Sequence, residues 1–361
     1  MSPDGFSRLR ADPYPDWDGP TIGWDIGGVH LKAALVTGGV VQAVAQVPCE
    51  LWRGAEALDA SLGGLPDWAR RHAKHAVTMT GELCDAFADR REGVAQLSGW
   101  ARERLKGPVA VYAGQSGFVD LERAQAMPMA VASANWHATA RLVGLHLGEA
   151  LVVDIGSTTS DLIPVKGGLP QARGYTDAER LRTGELIYTG VVRTPLMALA
   201  SVVPFRGGPT GIMAEHFATA SDVYRRLGRL PEEADQQETA DGRGKSLAET
   251  ETRLARMVGH DRIDATSDEW RDLAAAFAEA QLSRLQSAIS RVLAAADLPP
   301  GAPLVGCGVG RFIAADLAGR LGRPIRDLGP LVAPGADDAW ISSCAPAVAV
   351  GLLAGGSGRP D

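Results

Sequence analysis

The sequence lacks the features that mark several large classes of protein. It has only four cysteines, which lie far apart with no CxxC pair, so neither a zinc site nor a disulfide framework is indicated. Its formal net charge of −7 gives no overall basic field for nucleic acid, and no long cluster of Lys and Arg supplies a local one. We therefore expect a protein of the reducing cytoplasm with no nucleic-acid partner.

Apolar runs long enough to cross a bilayer are also missing. Residues 1–20 lack the apolar core of a signal peptide and are predicted to form a polar leader. The most apolar late stretch, residues 341–353, is too short for a membrane span and contains Pro346, so we predict a core helix there and no membrane partner. A chain of 361 residues that is 45% hydrophobic can bury a large core, and its length favours two domains or two lobes of one.

A hydroxyl-rich turn between two apolar runs is the central feature of the chain. In residues 151–165, LVVDIGSTTSDLIPV, the first run leads into Asp154 and Gly156, four small hydroxyl residues follow, and Asp161 opens the second run. This pattern predicts strand, turn, strand. Backbone N–H groups and hydroxyls at such a turn can donate to phosphate oxygens, and the aspartates can hold Mg²⁺. An ordinary β-hairpin with a polar turn is the alternative.

A repeat of this pattern near the N-terminus favours phosphate binding by the turn. Residues 21–36, TIGWDIGGVHLKAALV, repeat the pattern and predict a second, related subdomain. The aligned pairs are Asp25 with Asp154, Gly27 with Gly156, and Lys32 with Asp161. The two hairpins resemble the paired phosphate motifs of the acetate kinase, sugar kinase, Hsp70 and actin (ASKHA) superfamily. That resemblance implies an α/β, ribonuclease H-like fold with two lobes around a cleft.

The predicted domain boundaries follow from these hairpins. We expect an N-terminal lobe over residues 21–148 and a C-terminal lobe over residues 149–361. The second lobe is predicted to carry an inserted or capping segment at about 170–260 and a final helix at about 341–355. Residues 303–321 are predicted to form a strand, a glycine turn and a helix, an order that resembles the superfamily's adenosine motif.

Other polar positions are candidates for function, and each has a structural alternative. Glu82 and Asp85 follow a short strand and could touch substrate or cap the next helix. His137, early in a predicted helix, could bind substrate or pack in the interior. Residues 231–245 have the composition of a flexible linker, although Asp241 within them could contact a metal or substrate.

The densest polar stretch is residues 174–195, which are rich in Arg, Thr, Tyr and Gly. Arginine matches the geometry of phosphate oxygens and threonine hydroxyls add donors, so a binding loop is predicted, with a solvated connection as the alternative. Its candidate substrate contacts are Arg182, Thr183, Glu185 and Tyr188. Farther on, we predict a helix over residues 214–227 and a long amphipathic helix capped by Ser267.

Three segments sharpen the resemblance. They are residues 214–230 (AEHFATASDVYRRLGRL), 239–242 (TADG) and 253–261 (RLARMVGHD). With them the chain resembles the hydantoinase A/oxoprolinase-related proteins of tetrahydromethanopterin-linked C1 pathways, the group that includes the aminomethylfuran transferase of methanofuran biosynthesis. The resemblance covers about residues 20–355.

What this resemblance implies is a transferase. Members join an aminomethyl-furanmethanol diphosphate to the phenol of a γ-glutamyl tyramine or a tyrosine-based counterpart, so these are the small-molecule partners expected. The resemblance assigns Mg²⁺ to Asp25, Asp154 and Asp161. It assigns the diphosphate to Gly27, Gly28, Lys32, Gly156, Ser157, Thr158 and Thr159. Lys32, with Arg182, would neutralise the leaving group, and Asp154, Asp241 or Glu185 could accept the phenol proton.

The sequence is also compatible with two other functions. An ATP-dependent small-molecule kinase, or a hydantoinase A-like ATPase, is favoured by the predicted adenosine motif, so the binding of ATP is undecided. A non-catalytic nucleotide-binding regulator or assembly protein is the alternative from another class. A repressor would need a helix-turn-helix extension, and residues 1–20 are too short and too rich in Pro and Asp for one.

Overall fold

A computed structural model of the chain describes residues 17, 19–54, 56–336 and 339–356. The predicted leader, residues 1–20, lies almost wholly outside the described residues. The chain divides into two units, each with its own core. The first holds the residues up to Thr139 together with those from Pro346 on, and the second is Ala140–Ala345.

The first unit is built on a mixed sheet flanked by helices. Its strands lie in the order β3-β2-β1-β4-β5-β6, with β1 antiparallel to β2 and parallel to β4. The elements are β1 (Thr21–Ile26), β2 (His30–Thr37), β3 (Val40–Pro48), α1 (Glu56–Gly64), β4 (Lys74–Met79), α2 (Arg90–Arg104), β5 (Val109–Tyr112), β6 (Phe118–Val119), α3 (Leu121–Ala126), α4 (Pro128–Val131) and α5 (Asn135–His146), whose residues from Ala140 on belong to the second unit.

The second unit repeats this plan and adds helices. Its sheet has the order β10-β8-β7-β13-β14, with β9 paired to β8, while β11 and β12 form a separate ribbon. The elements are β7 (Glu149–Ile155), β8 (Ser160–Lys166), β9 (Leu169–Pro170), α6 (Asp177–Thr183), β10 (Leu186–Ile187), β11 (Val202–Phe205), β12 (Gly208–Gly211), α7 (Ala220–Arg226), α8 (Leu247–Met257), α9 (Ser267–Ala296), β13 (Leu304–Cys307), α10 (Arg311–Leu321), β14 (Ile325–Asp327), α11 (Leu328–Val332) and α12 (Ala339–Ser343). The last helix, α13 (Ala345–Ala354), lies almost entirely in the first unit.

The two predicted hairpins form, and their registers match. Asp25 lies opposite Lys32 in the β1–β2 pair, and Asp154 lies opposite Asp161 in the β7–β8 pair. The alignment of Lys32 with Asp161 is therefore confirmed. The predicted strand, glycine turn and helix at 303–321 are also confirmed, as β13 and α10.

Two helix starts differ from the prediction. Helix α7 begins at Ala220, not at residue 214, because Asp222 accepts a hydrogen bond from the Thr219 backbone N–H (3.1 Å) and ends the preceding loop. Helix α9 is capped by Thr266, not Ser267, and Glu269 returns the contact by accepting from the Thr266 N–H at 2.7 Å. Both starts show the T-x-x-D/E spacing of a capping box.

The polar segment 231–245 is held by ion pairs, whereas composition predicted a flexible linker. Asp235 pairs with Arg225 and with Lys245. Asp241 pairs with Arg253 at 3.0 Å, and the Arg253 side chain is fully buried. Charges that are paired and hydrogen-bonded can order a segment with little apolar surface of its own.

The last helix of the chain belongs to the first unit, whereas the predicted C-terminal lobe extended to residue 361. The apolar stretch forms two helices, α12 and α13, and α13 belongs almost entirely to the first unit. Its backbone lies against β1, since a Cβ added to Gly23 would come within 2.0 Å of the Ala347 carbonyl oxygen. No helix in the described part of the chain is long and apolar enough to span a membrane.

Candidate functional site

In the first unit, a buried carboxylate stands beside a lysine at the end of β1. Asp25 is nearly buried, and Lys32 Nζ lies 3.4 Å from its Oδ2. Burial raises the pKa of Asp25, and the Lys32 ammonium opposes that rise. The ammonium lies where it can neutralise an anionic ligand as well as the carboxylate.

The turn after Asp25 has room for glycine but not for a larger residue. The Gly27 N–H donates to the His30 carbonyl at 3.0 Å, which closes the turn. A Cβ on Gly27 would meet that carbonyl oxygen at 2.9 Å, and Thr80 Oγ1 lies 3.5 Å from the same point. The Gly28 carbonyl accepts from the Leu51 N–H. This tight turn brings the backbone close to any group bound beside Asp25.

In the second unit, the equivalent turn presents hydroxyl groups. The Gly156 N–H donates to the Thr159 carbonyl at 2.9 Å. Between them Ser157 and Thr158 are half-buried, with their hydroxyl oxygens 3.5 Å apart. Small hydroxyl side chains on a closed turn can donate to phosphate oxygens.

A neighbouring segment braces this turn from behind. The Val191 N–H donates to the Gly156 carbonyl, and the Val192 and Arg193 N–H groups both donate to the Ser157 carbonyl. A Cβ on Gly190 would lie 2.5 Å from backbone atoms of residues 156–158. Only glycine allows this approach, so the shape of the hydroxyl turn depends on Gly190.

Asp154 is packed against the turn that follows β13. The Cys307 thiol donates to its carboxylate, and burial followed by the charges of Asp154 and Asp161 raises the pKa of that thiol well above its usual value. Gly308 has φ +78°, and a Cβ there would lie 2.5 Å from Asp154 Oδ1. The predicted glycine turn therefore fixes the side chain of Asp154.

Asp161 is paired with a buried arginine. Its Oδ1 accepts from Arg180 Nη2 at 2.9 Å, and Arg180 is 1% exposed. Because Asp154 and Asp161 lie opposite each other, their like charges would repel. Arg180 offsets this repulsion, and sequence reasoning overlooked it. The role of Asp161 as a metal ligand stays a prediction.

The polar stretch after β9 divides into internal and exposed residues. Glu185 is 1% exposed and accepts from the N–H groups of Arg173 and Gly174 and from Thr183 Oγ1. Arg182 and Tyr188 are exposed. Glu185 and Thr183 thus hold the loop, while Arg182 and Tyr188 are accessible from solvent. The substrate contacts of Arg182, Thr183, Glu185 and Tyr188 remain predictions.

Asp241 lies in a cluster of arginines. Its Oδ1 is 3.0 Å from Arg253 Nη1, and its Oδ2 is 3.3 Å from Arg256 Nη1. Burial raises the pKa of Asp241, but the Arg243 N–H and the Arg253 guanidinium outweigh that effect and lower it overall. A carboxylate with a lowered pKa is a weaker base.

Of the remaining candidates, Glu82 and His137 are internal and Asp85 is exposed. Glu82 is fully buried and accepts from Ser133 Oγ at 3.0 Å. Helix α2 is capped by Asp89, so neither Glu82 nor Asp85 serves as its cap. His137 Nδ1 lies 2.9 Å from the Tyr112 hydroxyl in the interior, as the packed alternative predicted.

The residues present fit a Mg²⁺ ion that arrives with a diphosphate. Asp25 Oδ1 is buried and has no hydrogen-bond partner among the described residues. Within the same part of the chain, no group of three or more His, Cys, Asp or Glu converges on a metal site. Mg²⁺ commonly takes one or two carboxylates and completes its shell with waters and phosphate oxygens. One carboxylate beside a tight glycine turn suits that mode.

Comparison with known proteins places the chain among its relatives. A relative from Methanocaldococcus jannaschii, named (4-{4-[2-(gamma-L-glutamylamino)ethyl]phenoxymethyl}furan-2-yl)methanamine synthase, is 32% identical over 254 residues, or 70% of this chain and 76% of that protein. A protein of the same name from Methanococcus vannielii is 33% identical over 121 residues, or 34% of this chain and 54% of that protein.

The fold and the family are established together. A nucleotide-free acetone carboxylase structure covers 84% of this chain and 67% of its own, with a TM-score of 0.50 and 10% identity. This likeness and the repeated sheet plan confirm the α/β fold of the ASKHA superfamily. The family model described as hydantoinase/oxoprolinase matches residues 74–330. As predicted from its segments, the chain belongs to the hydantoinase/oxoprolinase family.

Proposed function

We propose that this protein joins an aminomethyl-furanmethyl group to the phenol of γ-glutamyl tyramine, or of a tyrosine analogue, and releases diphosphate. The observation that carries the proposal is the 32% identity over 254 residues to a synthase whose name describes a phenoxymethyl-furan amine. That product contains an ether between a phenol oxygen and a furan CH₂ group. The donor would be a furanmethanol activated as its diphosphate, as the family resemblance implies.

The reaction exchanges one C–O bond for another. The phenol oxygen forms a bond to the furan CH₂ carbon, and the bond from that carbon to the diphosphate oxygen breaks. Diphosphate leaves with the bonding electrons, and the phenol proton passes to a base. Because the furan ring stabilises positive charge on its CH₂ carbon, much of the catalysis can come from stabilising the departing anion.

Each unit of the chain carries groups that can stabilise an anion. Lys32 would place a positive charge beside Asp25 in the first unit. In the second, the turn at Gly156 would offer the hydroxyls of Ser157 and Thr158, held in place by the Gly190 segment. Such fixed donors need little reorganisation as charge develops, so they favour the transition state.

Mg²⁺, when bound with the diphosphate, would supply further positive charge to the leaving group. Asp25 would hold it beside the turn at Gly27. Asp161 is already paired with Arg180 and would act mainly by holding the β7–β8 hairpin in its conformation.

Asp154 is the carboxylate we propose as the base for the phenol. The unperturbed pKa of a phenol is about 10, so the reaction benefits from a group that accepts its proton. Asp241 is weakened for this task by its arginine partners. Glu185 already accepts hydrogen bonds from three donors inside its loop. The Gly308 turn holds the Asp154 carboxylate in place.

The proposal is tested by mass spectrometry of the products. Purified protein is incubated with Mg²⁺, the aminomethyl-furanmethanol diphosphate and γ-glutamyl tyramine or the tyrosine analogue, with and without ATP. We expect the ether and diphosphate to form without ATP. Failure to form the ether, together with release of ADP when ATP is present, would reject the transferase and favour a kinase-like enzyme.

Matched variants connect the product to the site. Asp154→Asn should lower the rate about 10²-fold or more, the usual contribution of a general base. Asp297→Asn is the control, because Asp297 is an exposed residue in the left-handed conformation that asparagine also tolerates. Equal rates for the two variants would remove Asp154 from the mechanism.

A further inference from the structure

Thr78 lies directly beside Asp25 in the sheet of the first unit. The β1–β4 register pairs Asp25 with Thr78, and the β1–β2 register pairs Asp25 with Lys32. Residues that are direct partners on neighbouring strands project from the same face of a sheet. Lysine, aspartate and threonine therefore form one polar row across three strands.

Two oxygen atoms in this row are buried without hydrogen-bond partners. Thr78 is 0% exposed, and its Oγ1 has no partner among the described residues. The same holds for Asp25 Oδ1, while Oδ2 of the same carboxylate faces Lys32. Buried hydroxyls and carboxylates are nearly always satisfied by a protein group, a water or an ion. Two such atoms on adjacent residues suggest that one bound species serves both.

The chemistry of these two oxygen atoms indicates which species they bind. A carboxylate oxygen and a hydroxyl oxygen are hard ligands of the kind that Mg²⁺ accepts, directly or through its waters. A purely structural β-branched residue at position 78 would need no hydroxyl, since valine has the same shape. The ammonium of Lys32 is already directed to the other carboxylate oxygen.

We propose that Thr78 Oγ1 and Asp25 Oδ1 together hold the divalent cation that accompanies the diphosphate, with Thr78 bound to the ion or to one of its waters. This inference rests on the proposed function for the identity of the anion. Thr78 is then a metal-positioning residue, and it places the cation on the side of Asp25 away from Lys32.

The test measures metal binding and needs no turnover. Mn²⁺ replaces Mg²⁺, and its binding to the full chain in the presence of inorganic diphosphate is followed by electron paramagnetic resonance. We expect Thr78→Val to weaken Mn²⁺ binding about tenfold and Thr78→Ser, which keeps the hydroxyl, to restore it. Ser98→Ala is the matched control, because Ser98 Oγ is another buried hydroxyl without a partner among the described residues.

The outcomes separate this inference from the proposed function. Wild-type affinity in Thr78→Val, no Mn²⁺ binding by the wild type, or equal losses in Thr78→Val and Ser98→Ala would each overturn it. If Thr78→Val does not fold, Thr78→Ala removes the same hydroxyl with less bulk and replaces it in the comparison. Because neither the furan nor the phenol is present, failure to form the ether would reject the transferase and leave this result standing.

Discussion

His75 is a buried histidine whose two ring nitrogens both have partners. Trp24 Nε1 donates to its Nδ1 at 3.0 Å, so its Nε2 carries the proton and donates to the Lys106 carbonyl at 3.2 Å. These bonds suit the neutral ring. Burial, the largest influence, lowers the pKa of His75 to about 4, although the Lys106 carbonyl favours the charged form.

The lowered pKa of His75 predicts a loss of stability in acid. Between about pH 6.5 and pH 4 the unfolded chain binds a proton at His75 that the folded chain does not, so the free energy of unfolding falls as pH falls. From pH 7.5 to pH 5 this group should cost about 2 kcal/mol, at about 1.4 kcal/mol per pH unit below 6.5. Urea unfolding followed by circular dichroism at both pH values measures it.

Two variants isolate this effect. His75→Asn keeps an acceptor for the Trp24 indole but does not titrate, so its free energy of unfolding should change about 2 kcal/mol less between the two pH values. His216→Asn, at an exposed position, should keep the wild-type dependence. Identical pH dependence in the wild type and His75→Asn would show that His75 is not the group responsible.

The long helix α9 reaches the hydroxyl turn through one buried glutamine. Gln281 is 0% exposed, and its Nε2 donates to Thr189 Oγ1 at 2.7 Å and to the Gly190 carbonyl at 2.9 Å. Its Oε1 accepts from the Tyr224 hydroxyl at 2.6 Å. Since Gly190 packs on residues 156–158, α7 and α9 together support the turn that we assign to the diphosphate.

Replacing Gln281 with leucine should loosen that turn. The change leaves the Tyr224 hydroxyl, Thr189 Oγ1 and the Gly190 carbonyl without this partner, and we expect the free energy of unfolding to fall by about 2–4 kcal/mol. Hydrogen exchange at residues 156–159 should become faster, and binding of inorganic diphosphate should weaken. Exchange mass spectrometry and calorimetric titration measure the two effects.

Gln286→Leu is the control for this prediction, because Gln286 lies on the same helix but is only half-buried. It should leave exchange at residues 156–159 unchanged. Gln281→Glu keeps an acceptor for Tyr224 and loses both donors, so it should affect the turn while sparing the Tyr224 contact. If Gln281→Leu is destabilised but exchange at the turn is unaltered, Gln281 supports the core without supporting the turn.

Local patterns predicted the elements that carry the site, but not what packs against them. The hairpins and the β13–α10 turn are marked in their own sequence by apolar runs and glycines. The two hairpins also form an internal repeat. Gln281 also had a signal that was overlooked, a polar residue between Phe277 and Leu285 in the buried stripe of α9. The pairing of Thr78 with Asp25 had none, because the register of parallel strands is set by contacts distant in sequence.

The division of the chain into two units also depends on contacts between residues that are distant in sequence. The second unit is continuous in sequence, whereas the first is closed by α13, more than 300 residues after β1. Sequence alone could not assign this helix, since its apolar character suits either core. Its place is decided by close contact with Gly23 and by Lys74, whose Nζ donates to the Ala354 carbonyl at 2.7 Å.

This arrangement predicts that the two units respond differently to loss of the C-terminus. Ending the chain after residue 345 removes the cover of β1, exposes apolar surface and leaves the buried Lys74 ammonium without the Ala354 carbonyl. We expect β1 and β4 to lose protection from hydrogen exchange, while β7, β13 and α9 keep theirs because the second unit retains its own core. Exchange mass spectrometry on the truncated chain measures both regions in one experiment.

A shorter truncation provides the comparison. Ending the chain after residue 356 keeps all of α13 and should leave both regions as protected as in the full chain. Loss of protection in β7 and α9 after the longer truncation would mean that the second unit depends on α13 for its stability. Full protection of β1 and β4 would mean that the sheet of the first unit holds without the helix, and the close approach at Gly23 would then contribute little to folding.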